Sequence, residues 1–222
     1  MSTWRYQPPA EALHVVHHDR DVIVVDKPSG LLSVPGRGAD LADCAQTRAQ
    51  ALAGTPVYAV HRLDLDTSGL LVFATRRKAE RELFRQFRER EVHKRYIAVA
   101  QGILVPSEGK MDQPLRRLEG TPRSVVCSTD GRTALTRYRR VHHTPDRSWV
   151  WLYPETGRSH QLRVHLDALG HPILGDRFYG TPASQAAAPR LMLHAERLRL
   201  RHPHSAEPME FRAPVPSSFG MP

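Results

Sequence analysis

Short runs of β-branched and aromatic residues, separated by segments rich in proline and glycine, constrain the fold of this chain most strongly. Helical periodicity is limited to residues 39–52, 76–91 and 159–169. Because short strands outnumber helices, the sequence predicts an α+β fold with a mixed, largely antiparallel β-sheet core and flanking helices. The predicted strands are residues 13–18, 21–26, 57–60, 70–74, 96–99, 133–141, 148–153, 190–200 and 209–213.

The segment 76–91 carries the clearest helical pattern. Its apolar residues Ala79, Leu83 and Phe87 recur at i, i+4 and i+8, with Phe84 beside them and charged residues elsewhere. This pattern predicts an amphipathic helix that packs its apolar face on the sheet. The helices at 39–52 and 159–169 are expected to end at glycines, Gly54 and Gly170 respectively.

The composition indicates an ordinary globular protein. The chain has 222 residues, of which 40% are apolar and 25% are charged, so one domain is predicted over residues 1–222, with its core at about 12–213. A short N-terminal extension, residues 184–189 and the last ten residues are expected to be flexible. Neither a membrane helix nor a signal peptide is evident, and a cytoplasmic location is therefore expected.

The formal net charge of +9 favours an anionic partner, and nucleic acid is the commonest such partner for a basic domain. Residues 76–95 alone contain nine basic and four acidic side chains. A solvated helix face is the alternative interpretation of this segment. The two cysteines, Cys44 and Cys127, are too few for a disulfide framework or a cysteine-rich zinc site.

The segment 61–74, HRLDLDTSGLLVFA, is the strongest candidate for chemistry. Asp64 and Asp66 are predicted in a turn between two apolar strands, next to Arg62, and loops held by strands commonly carry reactive groups. The alternative is that both carboxylates only accept hydrogen bonds from amides of the turn. Local chemistry alone leaves both interpretations open.

The same segment resembles the catalytic-loop signature of the RluA-type pseudouridine synthases, which reads H-R-L-D, two variable residues, then T-S-G. Residues 26–37, 94–102, 155–180 and 191–200 also resemble family blocks, in the family's order. The resemblance implies isomerisation of a uridine within RNA, in which the bond from C1′ to N1 breaks and C5 is joined to C1′. It implies no metal, no redox cofactor and no energy source.

Three residues match the family's catalytic positions. The resemblance places the essential carboxylate on Asp64, and it places Asp66 on a variable position. Tyr96 matches the active-site aromatic residue, and a core tyrosine on a strand is its alternative role. Arg163 matches the basic residue that pairs with the catalytic aspartate, although an ion pair with Asp167, four positions along one helix, is a local alternative.

The resemblance also implies how the substrate is held. Arg62 matches the residue that fills the gap left when the target nucleotide swings out of the RNA, a step that gives access to a stacked base. A phosphate or carboxylate clamp is the other role for Arg62. Leu193 matches an apolar wall of the uracil pocket and would otherwise be a core residue. The residues predicted to attract RNA phosphates are Arg76, Arg77, Lys78, Arg85 and Arg88.

The family includes compact members, and the sequence resembles one that lacks the additional S4-type RNA-binding domain. Such members act on ribosomal RNA, transfer RNA or both, so a stem-loop of either is the expected partner, bound by a monomer. A silent RNA-binding module and a carboxylate-dependent hydrolase of a small nucleoside or sugar are the other two function classes. The joint presence of Asp64, Tyr96 and Arg163 argues against the former, and the basic surface argues against the latter.

The thirteen histidines raise the question of a metal site. The histidines at 17–18, 142–143, 202 and 204 lack a nearby cysteine or carboxylate cluster of ligand spacing. His61 and His160 lie inside the family motifs, where a structural hydrogen-bonding role is expected for each. The sequence therefore predicts no metal.

Overall fold

A computed structural model describes residues 5–221, so the first four residues and the last residue of the predicted domain lie outside the described part. In chain order the strands are β1 (His14–His18), β2 (Val22–Lys27), β3 (Tyr58–Ala59), β4 (Ser68–Ala74), β5 (His93–Gln101), β6 (Glu108–Met111), β7 (Leu115–Arg117), β8 (Ser124–Val126), β9 (Thr136–His143), β10 (Arg147–Pro154), β11 (Leu193–Arg201) and β12 (Pro208–Arg212). The α-helices are α1 (Ala45–Ala53), α2 (Arg77–Arg88), α3 (Gln161–Ala168) and α4 (Pro182–Ala186).

The chain divides into two compact units. The first unit comprises Met1–Val92 and Arg197–Ala213, and the second comprises His93–Glu196 and Pro214–Pro222. Each unit contains its own cluster of buried apolar side chains. The single catalytic domain expected over residues 1–222 stays a prediction.

The first unit is built on an antiparallel ladder in which β2 pairs with both β1 and β4. Strand β4 is buried along its whole length, as its unbroken apolar run predicts. Helix α2 buries Ala79 and Leu83, which confirms the predicted apolar face. Gln86 of this helix is also buried, and its amide exchanges two hydrogen bonds of 3.0 Å with the backbone of Arg201.

The second unit contains an antiparallel ladder in the order β5-β10-β9-β6 and a separate hairpin, β7-β8. Its core includes Ile97, Val150 and Leu166, each 0% exposed. Helix α3 buries six of its eight residues, including the basic side chains of Arg163 and His165. Because buried polar groups need hydrogen-bond partners, both side chains require specific contacts, and burial lowers the pKa of His165.

The helix predicted at 39–52 is shorter than expected. Ala39–Leu41 forms a 3₁₀ turn, and α1 starts only at Ala45. The reason is a capping box at Cys44, whose sulfur accepts the amide of Thr47 while its own amide donates to the Thr47 hydroxyl. The predicted end is confirmed, since Gly54 has a φ of 65°.

Two segments expected to be flexible are ordered. Helix α4 covers part of residues 184–189 and begins at Thr181, whose hydroxyl accepts the amide of Ser184. Near the C-terminus Phe219 is 2% exposed, and its carbonyl accepts a 2.7 Å hydrogen bond from the indole of Trp149. Burial of the Phe219 side chain therefore holds the C-terminal residues in place, although their polar and proline-rich sequence does not predict this.

The predicted fold class is confirmed. The described pairings within each unit are antiparallel, and α-helices flank them. Strands β6, β7 and β8 were not predicted, because β6 and β7 are short and rich in charged residues and β8 has only three residues. Within residues 5–221 no helix is long and apolar enough to cross a membrane.

Candidate active site and RNA interface

The loop that carries Asp64 lies between β3 and β4 in the first unit. At its start, Nε2 of His61 accepts a 3.0 Å hydrogen bond from the amide of Val72. The His61 ring stacks on Phe87 of α2, with 4.5 Å between ring centroids and an interplanar angle of 20°. This histidine therefore joins the loop to β4 and α2, in agreement with the structural role expected for it.

A second loop, residues 28–33, holds the carbonyls on both sides of Asp64. The hydroxyl of Ser33 donates to the Leu63 carbonyl at 2.7 Å and accepts the Leu63 amide at 3.0 Å. The amide of Gly30 donates to the Leu65 carbonyl at 2.9 Å. Backbone groups immediately before and after Asp64 are thus fixed, and such support is what a catalytic carboxylate on a loop needs.

Lys27 reinforces this arrangement. Its side chain is 0% exposed, and its ammonium group donates to the carbonyls of Pro28, Leu31 and Leu65 at 3.0, 2.6 and 3.0 Å. Charged groups are rarely buried without such partners. The cation therefore connects the supporting loop to the residue that follows Asp64.

The backbone of Asp66 is also held by the loop 28–33. The Asp66 carbonyl accepts a 2.7 Å hydrogen bond from the Ser29 hydroxyl, and the amide of Thr67 donates to the Asp64 carbonyl at 3.2 Å, closing a turn. Both Asp64 and Asp66 are half-buried. Burial alone does not distinguish the two aspartates.

Tyr96 lies on β5 in the second unit, opposite Leu152 of β10. It is half-buried and packs against the core of that unit. Lys94 precedes it by two positions and so shares its face of the strand. Burial lowers the pKa of Lys94 to about 8.

Arg163 is 2% exposed, and a two-bond fork holds its side chain. Its Nε and Nη2 atoms each donate to a carboxylate oxygen of Asp176 at 2.7 Å. The amides of Phe178 and Tyr179 also donate to this carboxylate, at 2.9 and 3.3 Å. Bidentate pairs of this kind fix the orientation of a guanidinium group.

Asp176 is a site residue that the sequence analysis missed. It lies in the block 155–180 that resembles the family, and this membership was the available signal. The analysis considered only Asp64 and Asp167 as partners of Arg163. The pairing with Asp64 would join residues of different units and stays a prediction.

His160 belongs to a separate network in the second unit. Its Nδ1 atom lies 2.9 Å from the Tyr179 hydroxyl. That hydroxyl accepts the Ser124 amide at 2.8 Å and donates to the Ser124 carbonyl at 3.1 Å. The network agrees with the structural role expected for His160.

The remaining predicted substrate residues differ in exposure. Arg62 is exposed on the loop that carries Asp64. Leu193 is 3% exposed and belongs to the apolar core of the second unit. Their assignments as substrate contacts stay predictions.

The predicted RNA-binding cations of α2 lie in two different environments. Arg76, Arg77 and Lys78 are exposed at the start of the helix, and Arg88 is exposed at its end. The same part of the first unit contains a cavity of about 210 Å³, lined by Arg20, Asp21, Arg76, Lys78, Ala79, Pro203 and His204. Cations are therefore concentrated at the start of α2, where phosphate groups would be attracted.

Three carboxylate side chains surround Arg85. Its guanidinium donates to the carboxylates of Glu82, Glu91 and Glu89, and these hydrogen bonds raise its pKa above the ordinary value. Glu89 also contacts Arg88, at 3.1 Å. The assignment of Arg85 to phosphate binding stays a prediction, and it requires RNA to displace these carboxylates. The positions of Glu82 and Glu89, three before and four after Arg85, were the available sequence signal for this cluster.

No group of three or more histidine, cysteine, aspartate or glutamate side chains within residues 5–221 could hold a metal ion. Cys44 is buried as the cap of α1, and Cys127 is half-buried. Both cysteines are free.

Known proteins resemble the chain along almost all of its length. The sequence model of the RNA pseudouridylate synthases matches residues 21–168. A dual-specificity RNA pseudouridine synthase RluA from Escherichia coli O6:H1 is 50% identical over 218 residues, covering 97% of this chain and 99% of the relative. The RluA of Pasteurella multocida strain Pm70 is 48% identical over 217 residues, covering 96% and 99%.

The fold is similar to that of a solved structure, human RNA Pseudouridylate Synthase Domain Containing 1. The TM-score is 0.78 at 32% sequence identity, with coverage of 96% of this chain and 89% of the human one. Sequence and fold therefore agree with the resemblance found in the motifs. The chain belongs to the RNA pseudouridylate synthase family and is an isomerase that converts uridine in RNA to pseudouridine.

Proposed function

We propose that Asp64 supplies the catalytic carboxylate and that the target uridine is flipped out of the RNA to reach it. The observation that carries this proposal is the support of the Asp64 loop: backbone groups of Leu63 and Leu65 are both bound by the loop 28–33 or by Lys27. Within the family signature H-R-L-D-x-x-T-S-G, only the first aspartate occupies the fixed position. Asp66 occupies a variable one.

The reaction is an internal transfer. The bond between C1′ and N1 breaks, the uracil turns, and a bond forms between C1′ and C5. N1 gains a proton and C5 loses one, so atoms and electrons balance without a co-reactant. An ionised Asp64 acts either by forming a covalent bond or by stabilising the positive charge that develops when the base leaves.

The other predicted residues receive roles in the same reaction. Tyr96 offers a ring for contact with uracil and a hydroxyl for the proton that leaves C5. Arg163 provides the positive charge that keeps the catalytic carboxylate ionised, and Asp176 holds its guanidinium in one orientation. Arg62 fills the gap left by the flipped nucleotide, which offsets part of the few kcal/mol that unstacking costs, while Leu193 is a wall of the uracil pocket.

We propose that stem-loops of both ribosomal and transfer RNA are substrates. The support is twofold: compact members of the family act on ribosomal RNA, transfer RNA or both, and relatives about half identical to this chain are named dual-specificity RNA pseudouridine synthases. The exposed cations of α2 other than Arg85 attract the phosphate backbone. The enzyme is proposed to act as a monomer in the cytoplasm, where these RNAs are found.

The experiment compares Asp64→Asn with Asp66→Asn, two changes that each remove a charge with almost no change of volume. Pseudouridine is mapped at nucleotide resolution in total RNA incubated with each variant, in buffer containing EDTA. We expect Asp64→Asn to lose isomerisation while keeping its fold and most of its RNA affinity, and Asp66→Asn to stay near the unmodified enzyme. Near-normal turnover by Asp64→Asn, or inactivity of Asp66→Asn alone, would refute the assignment.

The same assay tests the cofactor prediction. The unmodified enzyme is expected to be fully active in EDTA without any added nucleotide or redox cofactor. Loss of activity on chelation, restored by one metal ion, would show that this part of the proposal is wrong.

A further inference from the structure

Helix α2 presents one exposed stripe that mixes cations with an aromatic ring. Arg77, Arg81, Phe84 and Arg88 follow each other at spacings of four, three and four residues, which places them on one side of a helix. All four side chains are exposed, and Phe84 is 55% exposed. Phe84 lies beside the apolar face of α2, as the sequence predicts, but its side chain is exposed.

The surroundings of Phe84 are cationic. Arg81 lies one turn before it and Arg88 one turn after it, a spacing that puts Cβ atoms about 5–6 Å apart. No described residue forms an ion pair with Arg81, whereas Arg88 contacts Glu89 at 3.1 Å and Arg77 contacts Glu80 at 2.9 Å. Of the carboxylates around Arg85, Glu89 also contacts Arg88, whereas Glu82 and Glu91 form no ion pair with a residue of the stripe. The stripe thus combines a ring with a nearby unneutralised guanidinium.

An unpaired nucleotide matches this stripe in both shape and charge. Proteins that bind single-stranded RNA stack bases on exposed aromatic side chains and bind the adjoining phosphates with arginine. A protein partner would require a larger continuous apolar surface, and Phe84 is the one apolar member of this stripe. Charge complementarity therefore favours RNA as the occupant.

The stripe also belongs to the unit that carries the catalytic loop. Phe87, three residues after Phe84, stacks on His61 at the start of that loop. We propose that Phe84 is a stacking platform for an unpaired base of the RNA substrate, with Arg81 and Arg88 binding the phosphates on either side of that base. This inference rests on the proposed function. The stacked base belongs to a nucleotide of the substrate other than the uridine that reacts.

The test compares Phe84→Ala with Phe84→Trp and with Leu52→Ala. Leu52 is 54% exposed on α1 of the same unit, so its truncation removes a similar exposed apolar side chain elsewhere. The probe is a short RNA stem-loop with 2-aminopurine at single loop positions, whose fluorescence falls when the base stacks. Affinity is measured by titration over a range of salt concentrations, and turnover is measured on the same RNA without the label.

We expect Phe84→Ala to weaken binding about tenfold and to remove the quenching at one loop position, because one base–aromatic stack is lost. Its salt dependence should match that of the unmodified protein, since no charge changes. Phe84→Trp should retain affinity and quenching. Leu52→Ala should match the unmodified protein in affinity, quenching and turnover.

Equal RNA affinity and quenching in Phe84→Ala and the unmodified enzyme would overturn the inference, and so would failure of Phe84→Trp to retain binding. Such results would leave the isomerisation itself unaffected. A failure of the proposed function appears elsewhere, as retained turnover in Asp64→Asn. Thermal unfolding of each variant checks that the exposed substitutions leave the fold intact.

Discussion

Helices α2 and α3 use arginine in opposite ways. On α3, Arg163 is 2% exposed and forms a two-bond fork with Asp176, which is 1% exposed. On α2, Arg81 and Arg88 are exposed on a stripe that also carries Phe84. One helix buries its cation with a dedicated carboxylate, and the other presents its cations to solvent.

The two helices show two roles of arginine: a charge held in a fixed orientation, and an exposed charge that attracts an anionic partner. A buried guanidinium held by two hydrogen bonds cannot reorient without leaving a carboxylate unpaired in the core. We therefore propose that Arg163 acts as a fixed charge at the reacting centre. An exposed guanidinium is screened by salt and moves freely, so the stripe on α2 can follow an RNA backbone of any sequence. Each arrangement makes a prediction of its own.

The largest effect is expected when the buried pair is broken. Asp176→Asn leaves the Arg163 cation without its carboxylate, and we expect the free energy of unfolding to fall by about 3–5 kcal/mol. Urea titration measures this loss. The control is Glu82→Gln, which removes a carboxylate beside Arg85 on the surface and should change stability little.

A second variant keeps this prediction testable if Asp176→Asn fails to fold. Arg163→Lys retains the charge and loses the planar fork, so a smaller loss of stability is expected together with reduced turnover at saturating RNA. If Asp176→Asn unfolds at the same urea concentration as Glu82→Gln, the buried pair does not hold the second unit in the way proposed here.

The contrast between the helices also shows which parts of the molecule a sequence reveals. The apolar positions Ala79 and Leu83 were predicted correctly because helical spacing alone defines them. The exposure of Phe84 was not predicted, since Phe84 lies about 100° around the helix from Leu83, at the edge of the apolar face, where periodicity does not determine burial. The loop of Asp64 was located by its motif between two apolar strands.

Helical spacing and motif matches do not identify the partner of a charged side chain. Asp176 is thirteen positions from Arg163, and only the folded chain brings them together, whereas local spacing suggests Asp167. The three carboxylates around Arg85 come from Glu82 of α2 and from Glu89 and Glu91 beyond its end, and a count of charges along 76–95 does not separate Arg85 from Arg88. The cap at Cys44 was missed because cysteine is not among the usual capping residues.

Lys94 adds a third kind of cation to this comparison. It is largely buried, and no carboxylate among residues 5–221 forms an ion pair with it. Burial lowers its pKa from 10.5 to about 8, so below pH 8 the folded protein bears the cost of a desolvated charge. We expect Lys94→Met to raise the free energy of unfolding at pH 7 by about 1–3 kcal/mol.

The pH dependence follows from the sign of that shift. Between pH 8 and 10.5 the unfolded chain binds more protons at Lys94 than the folded one, so the unmodified protein gains stability as pH rises. The advantage of Lys94→Met should therefore shrink through this range and be lost above it. Urea titrations at pH 7, 9 and 10.5 check this, with Lys78→Met as the exposed control. A constant advantage across these pH values would show that packing, and not charge, explains the change.

The smallest effect distinguishes the two arginines at the end of α2. Arg88→Gln removes an exposed cation from the stripe beside Phe84, and we expect RNA affinity to fall a few-fold. The slope of log affinity against log salt should become shallower by about 0.7–0.9, the value for one phosphate contact. Arg85→Gln removes a charge that is already shared among Glu82, Glu89 and Glu91. It should leave the salt slope unchanged and weaken binding slightly, because three carboxylates lose their counter-ion. The measurement is a titration of one stem-loop at four salt concentrations for both variants. Equal changes of slope in the two variants would mean that RNA binding displaces the glutamates from Arg85 and that both sides of α2 contact the backbone.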